Sequence, residues 1–188
     1  MRHPLLERIE YSPVIAAVKD EEGLEESLTC ESNVIFVLYG DLMTIGDIVE
    51  RIKDAGKTAI VHADLITGLS TKEISVDYLK EQAHADGIIS TKAHLIKRAK
   101  ELDMFAVMRF FVLDSMSLES IRKQLVCADP DCIEILPGLM PKIIKKLCSE
   151  EKYPLIAGGL ISDKDDILAA LDAGAVAVSA TKPDVWFL

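Results

Sequence analysis

The chain has 188 residues, 49% hydrophobic and 28% charged, with a formal net charge of −10. That length suits one domain with one sizeable core, and the composition is neither disordered nor membrane-embedded: no apolar run approaches the roughly 20 residues of a membrane span. Residues 1–12 lack the apolar centre of a secretory signal, and the acidic balance opposes nucleic-acid binding over the whole surface while leaving room for a local basic patch.

Residues 1–12 read as an N-terminal extension of a single domain filling residues 1–188. The first strand is Val14–Val18, opened by Pro13, and the first helix is Gly23–Cys30. Strand Val34–Leu38 precedes helix Thr44–Ala55, for which Asp41 and Thr44 are candidate caps and Gly56 the stop. Strand Thr58–His62 leads to helix Thr71–Ala83, strand Gly87–Ile89 to helix Ala93–Leu102, and strand Phe105–Phe111 to helix Ser117–Val126. Strand Cys132–Leu136 and helix Leu139–Cys148 follow, then strand Leu155–Ala157 behind Pro154. Helix Asp163–Ala173, capped by Ser162 or Asp163 and ended by Gly174, precedes the last strand, Ala175–Ser179.

Strands alternating with helices predict a parallel sheet, and the count decides its form. Five or six units would suggest an open doubly wound sheet, whereas eight close an α/β barrel, a small (β/α)8 TIM barrel. The chain is short for that fold, so the loops must be short, and the first helix, Gly23–Cys30, is expected to be the abbreviated one. Cys30, Cys127, Cys132 and Cys148 form no CxxC pair and stand at no metal-ligand spacing with histidine; they read as buried, reduced thiols of a cytoplasmic protein.

In such barrels the C-terminal ends of the strands build the site. Here those ends carry Lys19, Asp41, His62, Asp64, Lys92, Arg109, Glu134, Gly138, Gly158, Gly159, Ser179 and Ala180, whereas the opposite turns are plainer. Gly158-Gly159 followed by Ser179-Ala180-Thr181 would let backbone N–H groups approach an anion where barrels commonly hold phosphate. Arg109 and Glu134 interrupt apolar runs on neighbouring strands; an ion pair satisfies both, and Arg109 could equally grip a phosphate bidentately. His62 and Asp64 are two residues apart, so Asp64 could orient His62 as an acid or base or bind a hydroxyl. Lys19 and Lys92 read as charges that attract phosphate. The lysines Lys142, Lys145 and Lys146, and the run Lys97, Arg98, Lys100, lie on outer helix faces and are the visible candidates for RNA contact.

Collinear segments then resemble the glycerol uptake operon antiterminator regulatory protein family: PVIAAVKD (Pro13–Asp20), VHADLITGL (Val61–Leu69), DGIISTK (Asp86–Lys92), LDS (Leu113–Ser115), EILPGLMPK (Glu134–Lys142), IAGGLI (Ile156–Ile161) and AGAVAVS (Ala173–Ser179). The resemblance runs through most of Pro13–Trp186. It implies a β/α barrel that senses glycerol 3-phosphate and, with it bound, binds the leader of its target messenger RNA and prevents early termination. It matches family positions at Lys19, His62, Asp64, Lys92, Glu134, Gly138, Gly158, Gly159 and Ser179, with Arg109 in a looser segment, and a turn after the last strand that reads Ser179-Ala180-Thr181 rather than Ser-Thr-Ser. No cofactor or metal is expected, the effector being glycerol 3-phosphate. Partners are leader mRNA and a possible homo-oligomer, not a membrane. A barrel enzyme acting on a sugar or polyol phosphate is the alternative, and a barrel whose output is a protein partner is a third reading.

Overall fold

The computed structural model describes residues 3–188. Eight strands, β1 (Val14–Val18), β2 (Val34–Val37), β3 (Thr58–His62), β4 (Gly87–Ser90), β5 (Phe105–Phe111), β6 (Cys132–Leu136), β7 (Leu155–Gly158) and β8 (Ala177–Ala180), pair in parallel in chain order and close into a barrel. The helices are α1 (Leu5–Tyr11), α2 (Glu21–Thr29), α3 (Ile45–Asp54), α4 (Ile74–Glu81), α5 (Ala93–Glu101), α6 (Ser115–Ala128), α7 (Pro141–Glu150), α8 (Lys164–Asp172) and α9 (Pro183–Trp186).

The strands read as continuous apolar runs because both their faces are buried. Period two still sorts their side chains. Ala16, Val18, Ile35, Val37, Val61 and Ile88 face outward and pack beneath the helices. Ile15, Phe36, Ile60, Ile89, Val107, Cys132, Ile156 and Ala177 fill the interior. The same parity aims His62, Arg109, Glu134, Gly158 and Ser179 inward, since each stands two residues after one of these interior positions.

From residue 3 onward the segment before β1 packs against the barrel. In α1, Leu6 and Ile9 are buried within the interior cluster, and the His3 ring lies 5.1 Å from that of Phe105. This helix therefore stoppers the N-terminal end of the barrel. Seven residues with two buried apolar positions give too little periodicity for the sequence to announce it.

The first barrel helix is not the abbreviated one. Asp20 accepts a 2.8 Å hydrogen bond from the Gly23 N–H and starts α2 at Glu21, giving it nine residues. The short helix is α9, a single turn after β8, pinned where the Trp186 indole N–H donates to the Ala180 carbonyl at 2.7 Å. Asp163 caps α8 through the Asp166 N–H, and Gly174, at φ +110°, ends it in the left-handed region. Cys30 and Cys132 are buried and Cys148 is half-buried, but Cys127 is exposed. The α6 stripe facing the barrel is Ile121, Leu125 and Ala128, which leaves residue 127 off it.

Candidate functional site

Pairing of β5 with β6 sets Arg109 directly beside Glu134, and pairing of β7 with β8 sets Gly158 beside Ser179. The four residues form one cluster at the C-terminal end of the barrel. Glu134 is completely buried. Its Oε2 accepts from Arg109 Nε at 2.5 Å and its Oε1 accepts from Ser179 Oγ at 2.6 Å. A buried carboxylate needs such partners, and both oxygens have one. Arg109 uses only Nε in this contact; its two terminal nitrogens have no partner among the described residues, although the side chain is only 8% exposed. They face a cavity of about 360 Å³ whose wall includes Ala17, Leu38, Leu136, Gly159 to Ser162, and Ser179 to Lys182.

The glycines of this region have separate tasks. A Cβ on Gly158 would lie 2.5 Å from Glu134 Oε1 and 2.6 Å from Ser179 Oγ, so the missing side chain makes room for their hydrogen bond. The sequence reading assigned this glycine to anion approach; the structure gives it a steric task beneath the carboxylate. Gly159, at φ +73°, and Leu160, at φ +63°, are consecutive left-handed residues in the loop that forms one side of the cavity. Gly138 donates its N–H to the Gly159 carbonyl at 3.1 Å, and a Cβ there would meet the Gly158 oxygen at 3.1 Å. It packs the loop after β6 against the loop after β7 and so supports the wall.

A second cluster adjoins the first. Asp64 lies on a single 3-10 turn, Ala63–Leu65, after β3. Its carboxylate accepts from Ser90 Oγ at 3.0 Å, from the Thr91 N–H at 2.8 Å, from Thr91 Oγ1 at 3.0 Å and from Lys92 Nζ at 2.8 Å. Burial alone would lift the Asp64 carboxyl; the donors from Lys92 and Thr91 outweigh it and hold the group below its ordinary range. His62 Nδ1 is sealed from solvent without a hydrogen-bond partner, 3.9 Å from Asp64 Oδ2. The expectation that Asp64 orients His62 is therefore corrected: its oxygens serve the loop after β4. Burial, and then the charge of Arg109, push the His62 imidazole down to about 4, so it is neutral at pH 7.

Two expected site residues are not on the wall of this cavity. Lys19 is exposed and borders an adjoining cavity, which shares Ala17 and Thr181 with the first, together with Asp20, Glu22 and Glu26. Asp41 closes its own turn, accepting from the N–H groups of Met43 at 2.8 Å and Thr44 at 3.0 Å. Thr44 occupies the position before α3 but makes no side-chain bond to the helix. The structure thus gathers Arg109, Glu134, Gly159, Ser179 and Ala180 on one cavity, with Gly138 and Gly158 packed behind it and His62, Asp64 and Lys92 alongside. It adds Leu160, Ser162, Thr181 and Lys182, the residues that immediately follow the sequence-selected glycines and serine.

Chemically the cavity offers a fixed guanidinium with two free donors, small side chains and loop backbone. That combination suits a compact anion held bidentately rather than an extended apolar ligand. A larger cavity, about 440 Å³, lies on the outer wall between the start of β1 and α8, away from these groups. Among the described residues no helix is long and apolar enough to cross a membrane.

Residues 14–186 match the family model described as glycerol-3-phosphate responsive antiterminator. The protein YgcP of Escherichia coli K12, described as uncharacterized, is 48% identical over 185 residues, covering 98% of this chain and 97% of its own. The crystal structure of the glycerol uptake operon antiterminator regulatory protein of Listeria monocytogenes superimposes with a TM-score of 0.89 at 31% identity, over 92% of this chain and 94% of that one. The glycerol uptake operon antiterminator-related protein of Thermotoga maritima gives a TM-score of 0.81 at 31% identity, over 93% and 98%.

Proposed function

The chain belongs to the glycerol-3-phosphate responsive antiterminator family, and from that premise we propose that it is a cytoplasmic regulator that takes glycerol 3-phosphate at the C-terminal mouth of its barrel and, so loaded, binds leader mRNA and causes antitermination of glycerol-utilisation genes. The observation that carries the effector half is Arg109: a nearly buried guanidinium, locked at Nε by Glu134, with both terminal nitrogens open to the cavity. In this reading Arg109 takes the phosphate bidentately while Gly159 and Ala180 bring backbone up to it. Ser179 and Glu134 position the guanidinium. His62, Asp64 and Lys92 lie on the side from which the glycerol hydroxyls are read.

For the RNA half the support is charge. Arg98 is paired with Asp77 and Glu101, and Lys100 with Asp131. Lys142, Lys145 and Lys146 on α7 are exposed and make no ion pair among the described residues. They stand one short loop away from Gly138, which braces the cavity wall. Ligand-dependent ordering of that loop would couple effector to RNA.

The test is binding of the full chain to the leader RNA of a glycerol operon with and without glycerol 3-phosphate. Affinity rising with effector, and falling when Lys142, Lys145 and Lys146 are replaced by glutamine, is expected. RNA affinity unaffected by effector would sink the regulatory reading. An enzyme on a sugar or polyol phosphate is the alternative. It needs an oriented acid or base, and the Asp64 oxygens that would orient His62 are committed to Ser90, Thr91 and Lys92.

A further inference from the structure

Fourteen large hydrophobic side chains are exposed among the described residues, and eight of them stand at the C-terminal mouth. Leu42 and Met43, after β2, and Leu65, after β3, form one lip; Met43 is 87% exposed. Phe111, Leu113 and Met116 between β5 and α6, Leu139 before α7 and Leu160 before α8 form the other, with Leu113 at 83% and Met116 at 76%. Since the strands close in chain order, the two lips sit on opposite sides of the mouth. Polar loops fill the gaps between them: Thr91 and Lys92 after β4 on one side, Thr181, Lys182 and Lys19 after β8 and β1 on the other.

At about 150–250 Å² per large side chain, these exposures sum to an apolar area on the order of 900 Å² over the two lips together, about two thirds of it on the larger lip. The larger lip by itself reaches the upper end of the about 300–600 Å² typical of the largest contiguous apolar patch on a monomeric protein. A standard stable interface takes about 800 Å² from each partner. The carboxylates among the apolar residues do not oppose desolvation strongly, because they are already bonded at home. Asp41 accepts from Met43 and Thr44, and Asp114 accepts from the Ser117 N–H and hydroxyl.

The geometry points to a second copy of this chain, docked mouth to mouth, as the occupant of this face. A two-fold pair buries the same patch on both partners, so the patch must match itself. This one does so in either setting. A two-fold axis running through the polar gaps lays one lip on the other lip; an axis running through the lips lays each lip on its own copy. Apolar meets apolar and polar gap meets polar gap both ways. Nucleic acid fits the lips less well, because they carry one aromatic ring and no lysine or arginine, and the chain as a whole is acidic. Such a pair encloses the cavity beside Arg109 between its halves, which makes the partner copy a lid over the site.

Sedimentation velocity of the full chain, across two decades of concentration, tests this. The wild type is expected to dimerise. Leu113→Glu with Met116→Glu, and separately Met43→Glu on the opposite lip, should each raise the dissociation constant about tenfold or more while leaving the far-ultraviolet dichroism unchanged. Val126→Glu, at an 83% exposed position near the far end of α6, should leave the dimer intact. A wild type that stays monomeric throughout overturns the proposal, as do lip variants that both dimerise normally or a Val126→Glu variant that dissociates equally. None of these readouts involves glycerol 3-phosphate, so failure here leaves the effector reading standing.

Discussion

Replacing Glu134 by glutamine removes one charge from the centre of the mouth and almost nothing else. The amide has the carboxylate's shape, so Ser179 Oγ keeps a partner and Arg109 Nε keeps an acceptor. What disappears is the charge opposite a guanidinium whose side chain is only 8% exposed. Two unit charges about 4 Å apart interact by roughly 4 kcal/mol at an effective dielectric of about 20. Breaking a buried pair by removing one partner typically costs about 3–5 kcal/mol. The retained neutral hydrogen bond returns some of this, so Glu134→Gln should lose about 3 kcal/mol of unfolding free energy. Urea denaturation at pH 7 measures it. The same experiment with saturating inorganic phosphate adds a second reading. An anion on the free guanidinium nitrogens replaces the missing negative charge, so phosphate should stabilise the variant more than the wild type. A loss below about 1 kcal/mol would mean that the pair is as dispensable as a solvent-exposed one, and equal stabilisation by phosphate would place the anion away from Arg109.

Three further outcomes follow from the same geometry. The folded-state pKa of His62, about 4, lies below its ordinary 6.5, so the unfolded chain binds the extra proton between those values. Stability from this residue is complete above pH 6.5 and lost as pH falls toward 4, by as much as about 3 kcal/mol. His62→Gln should flatten that limb of the pH–stability curve, and an unchanged slope would show that another group is responsible. Gly158→Ala places a methyl group within 2.6 Å of both Glu134 and Ser179 and should destabilise by about 1–3 kcal/mol in chemical denaturation; a variant as stable as the wild type would refute the close packing under the carboxylate. Arg109→Lys keeps the charge but not the fork, and calorimetry should find affinity for glycerol 3-phosphate reduced about 10- to 100-fold. Full affinity in that variant would remove the bidentate contact from the account.

All eight strands were legible in the sequence because each is an apolar run bounded by turn residues, and the observed ends differ by at most two positions, as at β8, which starts at Ala177 rather than Ala175. The ion pair of Arg109 with Glu134 was one of the two readings the sequence allowed; that both side chains point inward emerges only in the structure, because β5 and β6 are apolar on both faces. Other features depend on distances that spacing does not encode. His62 and Asp64 are two residues apart, but the chain leaves β3 at His62 and enters a 3-10 turn that swings the carboxylate toward Ser90 and Thr91. Asp41 looks like any other strand-end acid until its own turn claims it. Gly158 was selected as a site residue for backbone approach to a ligand, whereas its steric role toward Glu134 emerges only when β6, β7 and β8 are side by side. The plug formed by α1 was invisible for a related reason, since Leu6 and Ile9 acquire meaning only from the barrel end they close.

The measurement that bears most directly on the central claim is a calorimetric titration of the full chain with glycerol 3-phosphate, run beside glycerol, inorganic phosphate and ribulose 5-phosphate, with product analysis of the same samples. The account predicts saturable binding of glycerol 3-phosphate that is lost in Arg109→Met, weaker binding of inorganic phosphate, and every compound recovered unchanged. Absence of binding, binding undiminished in Arg109→Met, or conversion of any of the four compounds would contradict it.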